Sequence, residues 1–212
     1  MKWYWIKTNK LVKKLFPNFI WALPTKEKKV YLTFDDGPTP EITHWVLAQL
    51  RQNQAKATFF CIGNNVRKHP DICQALIEDG HQIGNHTYDH LNGWKTNTTD
   101  YLTNVNLCRE IIADIRGEKM PLFRPPYGKI RNKQAAALLD QGYRIIMWDV
   151  LSADFDKNIS PEKCLQNLTK NVTSGSIVVF HDSLKSFKNL EYALPRFLNF
   201  LNENNYVCEV ID

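Results

Sequence analysis

From Pro24 onward, short apolar runs alternate with stretches in which apolar residues recur every three or four positions. Brief runs rich in β-branched and aromatic residues suit buried strands, while the longer spacing suits helices with one buried face. Strands are predicted over 30–34, 57–62, 82–84, 122–124, 144–148, 176–180 and 206–211. Between them, Thr39 can cap a helix with Pro40 at its first position, and Ile42, Trp45, Val46 and Leu50 then share one face. Ser160 and Pro161 repeat the device ahead of Leu165, Leu168 and Val172, and Leu190, Leu194, Phe197, Leu198 and Leu201 form another stripe across Pro195. Helices are also expected over 71–79, 100–115 and 133–141. Such strict alternation implies parallel strands joined by right-handed crossovers. The pattern predicts an α/β domain built as a distorted (β/α)7 TIM-like barrel, with an open doubly wound sheet as the alternative.

Charge divides the chain. The formal net charge is +5, yet residues 1–28 with Lys29 hold eight lysines and one glutamate, so the rest is slightly acidic. This argues against a general nucleic-acid-binding surface and separates a basic aromatic arm, 1–28, from a single domain, 29–212. In the arm, Lys7, Lys10 and Lys14 recur at helical spacing opposite Trp5, Val12, Leu15, Phe16 and Phe19, with Trp3 and Tyr4 nearby. Two readings fit: peripheral contact with an anionic membrane, or aromatics that cover the barrel floor. No apolar run approaches the roughly 18 residues that a membrane span needs, and none ends in a small-residue cleavage site. Both observations favour the cytoplasm or the inner face of a membrane. The five cysteines are odd in number and scattered without CxxC pairs, as expected of reduced, buried thiols. A monomer is expected.

Candidate chemistry gathers at the strand ends. Thr33-Phe34-Asp35-Asp36-Gly37-Pro38 sets two carboxylates side by side, and successive strand residues face opposite ways, so the two can take different jobs. Alone, the segment also fits an Asp-Gly turn with solvated acids. In His86-Thr87-Tyr88-Asp89-His90, a helical turn would point both imidazoles one way as a metal grip. Asp36 would complete three ligands with a position open for water, leaving Asp89 solvated. In Phe123-Arg124-Pro125-Pro126-Tyr127-Gly128, the prolines fix the backbone and can hold the Tyr127 N–H toward a developing oxyanion, while Arg124 can pair with Asp35. Asp149, Asp154 and Asp156 follow another strand, and Val178-Val179-Phe180-His181-Asp182 ends one, with Asp154 placed to buttress His181 as a proton donor. All five segments fall at predicted C-terminal strand ends, the rim where barrel active sites lie.

Together these segments resemble the NodB-homology polysaccharide deacetylases, carbohydrate esterase family 4, over roughly residues 29–212. The resemblance implies a distorted barrel and metal-dependent hydrolysis of the linear amide of N-acetyl groups on N-acetylglucosamine glycans such as peptidoglycan, chitin-like polymers or exopolysaccharide. Carried over by motif, it implies Asp35 as general base, and Asp36, His86 and His90 as metal ligands, with zinc the default ion and cobalt or nickel alternatives. It further implies Arg124 as the residue orienting the base, Tyr127 as the oxyanion donor, and His181 as catalytic acid with Asp154 its partner. Departures lie at the substrate wall. Phe155 stands where the family often has Trp, Leu151 where many members have Asp, and Val179 in place of the usual Leu near the acetyl pocket, on the wall shared with Pro126. Trp94 reads as a sugar-stacking platform or as a ring buried in its loop. A catalytically inactive glycan-binding barrel, and an oxygenase holding ferrous iron on the same three ligands, are the rival classes.

Overall fold

The computed structural model describes residues 4–117 and 122–212, so Trp3 lies outside the described residues. The strands are β1 (Lys29–Asp35), β2 (Ala57–Cys61), β3 (Gln82–Asn85), β4 (Leu122–Phe123), β5 (Arg144–Ile145), β6 (Val150–Leu151), β7 (Ile177–His181) and β8 (Val207–Cys208). The helices are α1 (Lys10–Leu15), α2 (Ile42–Gln52), α3 (Gly63–Lys68), α4 (Pro70–Glu78), α5 (Thr98–Arg116), α6 (Asn132–Asp140), α7 (Pro161–Thr169) and α8 (Phe187–Glu203). Side-chain alternation along β1 shows how the layers separate. Val30, Leu32 and Phe34 point to the outer core, whereas Thr33 and Asp35 point inward to Arg124. Phe34 stacks on Phe59 of β2 and Phe180 of β7 at centroid distances of 5.0 and 5.6 Å, a cross-strand aromatic row that α2 and α8 cover.

The sheet runs β5-β4-β3-β2-β1-β7-β6 with every neighbouring pair parallel, and it curls into a half-barrel as the sequence predicts. β8 pairs with β1 at Lys29 and Val30, below the level where β2 joins. Two predictions need correction. The run 144–148 is not one strand: its ladder partner changes, because Ile146 N–H donates to Phe123 on one side and Asp149 N–H to Ile177 on the other. The chain thereby forms β5 and then β6, a strand the pattern did not predict. α2 begins at Ile42 and not at Pro40, since Glu41 takes φ 66° and Thr39 instead exchanges hydrogen bonds with Thr43. α3 was also unpredicted, having only one buried apolar side chain, Val66, and no stripe to announce it.

The arm lies across the seam between β5 and β6. Its backbone bonds the outer edges of β5 and β6: Ile20 N–H donates to Ile145, Met147 N–H to Ile20, Thr8 N–H to Asp149 and Leu151 N–H to Ile6. Ile20 and Leu23 close the inner cluster of Phe60, Leu122, Ile146, Ile177 and Ile211, so part of the arm does cover the barrel interior. Lys7, grouped by spacing with Lys10 and Lys14, instead ends 2.6 Å from Asp149, which also binds Lys13 and accepts from Ser176. Gly175 (φ 82°) takes a backbone that only glycine adopts freely, and a Cβ there would lie 2.4 Å from the Leu23 carbonyl. Trp5, Leu11, Leu15 and Phe16 remain outside the core. Among the described residues, no helix is long and apolar enough to cross a membrane, and all five cysteines are buried and free. Asp149→Ala removes the shared anchor of two lysines and should cost about 2–3 kcal/mol, read as a lowered urea midpoint with unchanged slope.

Candidate active site

The loop after β1 sends its two carboxylates apart. Asp35 is buried in the barrel mouth, and Asp36 turns back at φ 82°, a left-handed backbone that costs an aspartate less than most side chains. A residue not assigned from sequence holds this turn. Asp182, buried beneath the loop, accepts from the Gly37 N–H at 3.1 Å and the Thr43 hydroxyl at 2.6 Å. A Cβ on Gly37 would stand 2.0 Å from that carboxylate, so glycine is required by close approach. Burial pushes the Asp182 carboxyl up to about 8, against the pull of its hydrogen bonds. Asn65, at α3, donates to the Asp36 carbonyl at 2.8 Å and gives that unpredicted helix its purpose.

Asp36, His86 and His90 come together as a candidate divalent metal site, their ligand atoms all within 4.8 Å of one another. The grip is not a helical turn: Thr87 and His90 take φ 62° and 57°, and the segment's carbonyls are used by Gly63 and Asn64 N–H groups. Asn104, unassigned from sequence, caps the Tyr88 and Asp89 N–H groups and binds exposed Asp89. His86 Nδ1 meets the Arg124 carbonyl at 2.7 Å, so Nδ1 carries the proton and the Nε2 lone pair faces inward. His90 Nδ1 lies 3.1 Å from the Tyr127 hydroxyl. The two Nε2 atoms approach Asp36 Oδ1 at 3.7 and 3.1 Å, yet that buried oxygen accepts no hydrogen bond. A buried carboxylate oxygen facing two inward-pointing imidazole nitrogens is a donor set shaped for a cation. Burial pulls His86 down to about 4 and keeps it a neutral ligand.

Arg124 is fully buried and gives Asp35 a 2.7 Å hydrogen bond, as the sequence anticipated. Its other donors go to Thr33, Ile146 and Met147, and its plane lies 4.1 Å over the Phe60 ring. Across the mouth, Asp154 binds His181 twice, accepting from its backbone N–H at 2.7 Å and meeting Nδ1 at 2.8 Å. Phe155 packs edge-on against the His181 ring, and Tyr4 of the arm packs on Phe155 while donating to Asp156. Val179, Leu151 and Pro126 are buried, so they shape the wall from behind. Asp149 is not among the rim acids, because the arm lysines take it. Trp94 is exposed, pinned by Nε1 to the Ile130 carbonyl with Lys129 over its ring, and is not buried in its loop. A groove of about 470 Å³ opens beside Asp36 and His90, walled by Pro38, Lys68, Leu184 and Lys185.

Residues 22–146 match the family model described as polysaccharide deacetylase. A Bacillus cereus protein named peptidoglycan-N-acetylglucosamine deacetylase is 37% identical over 160 residues, which cover 76% of this chain and 58% of that one. A second Bacillus cereus protein of the same name is 35% identical over 188 residues, covering 88% and 87%. This chain thus spans less than two thirds of the first relative and most of the second. The crystal structure of a peptidoglycan N-acetylglucosamine deacetylase in complex with 4-naphthalen-1-yl-N-oxidanyl-benzamide superposes with a TM-score of 0.86 at 32% identity, covering 92% of this chain and 91% of that one.

Burial alone would lower the His181 pKa, but the Asp154 charge and hydrogen bond, with Asp36 and Asp35 behind, raise it from 6.5 to about 9. The folded value exceeds the free one, so the pair stabilises the fold fully below about 6.5 and loses that contribution as pH rises through about 9. Asp154→Asn should therefore move the His181 imidazole titration, followed by NMR of the ring protons, to lower pH. An unmoved titration would show that Asp154 does not hold the proton.

Proposed function

Because this chain belongs to the polysaccharide deacetylase family, we propose that it hydrolyses N-acetyl groups of an N-acetylglucosamine-containing glycan, releasing acetate and leaving a free amine. One observation carries this proposal: around the unsatisfied Asp36 oxygen stand a carboxylate held by a buried guanidinium and an imidazole held protonated by a second carboxylate. A base and an acid of opposite readiness on two sides of one ligand set are what amide hydrolysis needs, because water must lose a proton and the amine must gain one.

Asp36, His86 and His90 would hold the ion, for which zinc is proposed, with cobalt or nickel suited to the same donors. When bound, the ion supplies Lewis-acid polarisation of the acetyl carbonyl. Asp35 takes the proton of the attacking water, and Arg124 keeps that carboxylate aimed. The Tyr127 N–H steadies the oxyanion, on a backbone stiffened by Pro126 and set at φ 60°. His181 Nε2 gives its proton to the departing amine while Asp154 holds Nδ1. Phe155 and Val179 bound the acetyl pocket, and Trp94 offers a face on which a neighbouring sugar can stack.

Peptidoglycan is the proposed glycan, on the strength of the relatives' names, and chitin-like polymers and exopolysaccharide serve as comparison substrates. The enzyme is proposed to act as a monomer, as a single domain 29–212 whose N-terminal arm makes peripheral contact with a membrane. Asp36→Ala should abolish both zinc binding by calorimetry and acetate release. Asp35→Asn should retain zinc within a few fold while kcat falls by roughly 100-fold or more. Full activity in Asp35→Asn would remove the base. Glycan binding without acetate release from any polymer, by the zinc-loaded parent, would instead make the chain an inactive binding barrel.

A further inference from the structure

The arm is held by contacts that leave four of its large apolar side chains in solvent. Backbone bonds to Ile145, Met147, Asp149 and Leu151 fix it along the seam, and Lys7 and Lys13 are drawn inward to the buried Asp149. Trp5, Leu11, Leu15 and Phe16 are left outside, at 56, 63, 65 and 43% exposure. Leu11 and Leu15 are one helical turn apart on α1, and each follows a lysine, Lys10 and Lys14, that is exposed and forms no ion pair among the described residues. Leaving four large apolar side chains in water is unfavourable, and a patch of this kind with a basic rim marks an interaction surface.

Building on the deacetylase assignment, we propose that this face docks the enzyme on an anionic lipid surface, with Trp5, Leu11, Leu15 and Phe16 entering the headgroup boundary and Lys10 and Lys14 meeting lipid phosphates. Charge decides between lipid and a second copy of the chain. A self-complementary contact would bring the lysine pairs of two copies toward one another, whereas anionic headgroups neutralise them. A tryptophan beside leucines, with lysines that can extend toward the headgroups, suits the layer where apolar and wet environments meet. The start of the arm, ahead of this face, reaches the catalytic rim. Tyr4, next to Trp5, packs on Phe155, and Phe155 packs on His181.

The full chain should be sedimented with vesicles of phosphatidylglycerol and phosphatidylcholine, and with phosphatidylcholine alone. The parent is expected to pellet with the anionic vesicles only. Both Leu11→Ser/Leu15→Ser and Lys10→Glu/Lys14→Glu should bind at least roughly tenfold more weakly, since each lysine near an anionic surface contributes about fivefold. Both should release acetate from a soluble N-acetylglucosamine oligomer at the parent rate. Absence of pelleting, or pelleting undiminished in the variants, overturns the docking. A concentration-dependent dimer abolished by the leucine substitutions, without vesicle binding, overturns it in favour of a second copy. Vesicle binding intact in a protein that releases no acetate would leave the docking standing and remove the deacetylase assignment.

Discussion

A guanidinium withdrawn from water costs several kcal/mol unless its charge and its donors are all met. Arg124 meets that demand with Asp35, the Thr33 hydroxyl, two carbonyls from the 146–147 segment, and the face of Phe60. Three regions of the barrel are thereby fixed to one rigid plane. The same residue's carbonyl receives the His86 ring proton, so the position of the base and the tautomer of a metal ligand are set together. A lysine could carry the charge, but it could not span these acceptors in one plane.

Two histidines of the site illustrate how neighbours, more than residue type, assign a task. His86 is enclosed without a carboxylate hydrogen bond, and burial drives it to about 4, neutral and ready to ligate. His181 is enclosed as well, yet Asp154 on both its backbone and its ring carries it to about 9. The two imidazoles of one barrel mouth are driven in opposite directions, burial prevailing at His86 and the Asp154 carboxylate prevailing at His181.

What the sequence could disclose follows from distance along the chain. β1, β2 and β7 are apolar runs long enough to stand out, and the five segments at their rims lie in contiguous stretches that local pattern can catch. β5 and β6, two residues each, are defined by a change of pairing partner that no local pattern contains. The turn of His86–His90 is irregular because Asn104 and the α3 N–H groups take up its backbone, which a spacing of four residues cannot reveal. Asp182 supports Gly37 from 145 residues away, and Lys7 finds Asp149 from 142. Periodicity grouped Lys7 with Lys10 and Lys14 for want of that distant partner.

The seam has one more effect, on the order in which the molecule is completed. Ile6, Thr8, Ile20 and Leu23 stand early in the chain, but everything they bond to, between Ile145 and Gly175, is synthesised more than a hundred residues later. The arm must wait, unattached, while the rest of the barrel assembles, and until it arrives β5 and β6 present bare backbone edges that another nascent chain could pair with. A segment that does no chemistry thus acts as a clasp against misassembly, made well before the strand edges it covers.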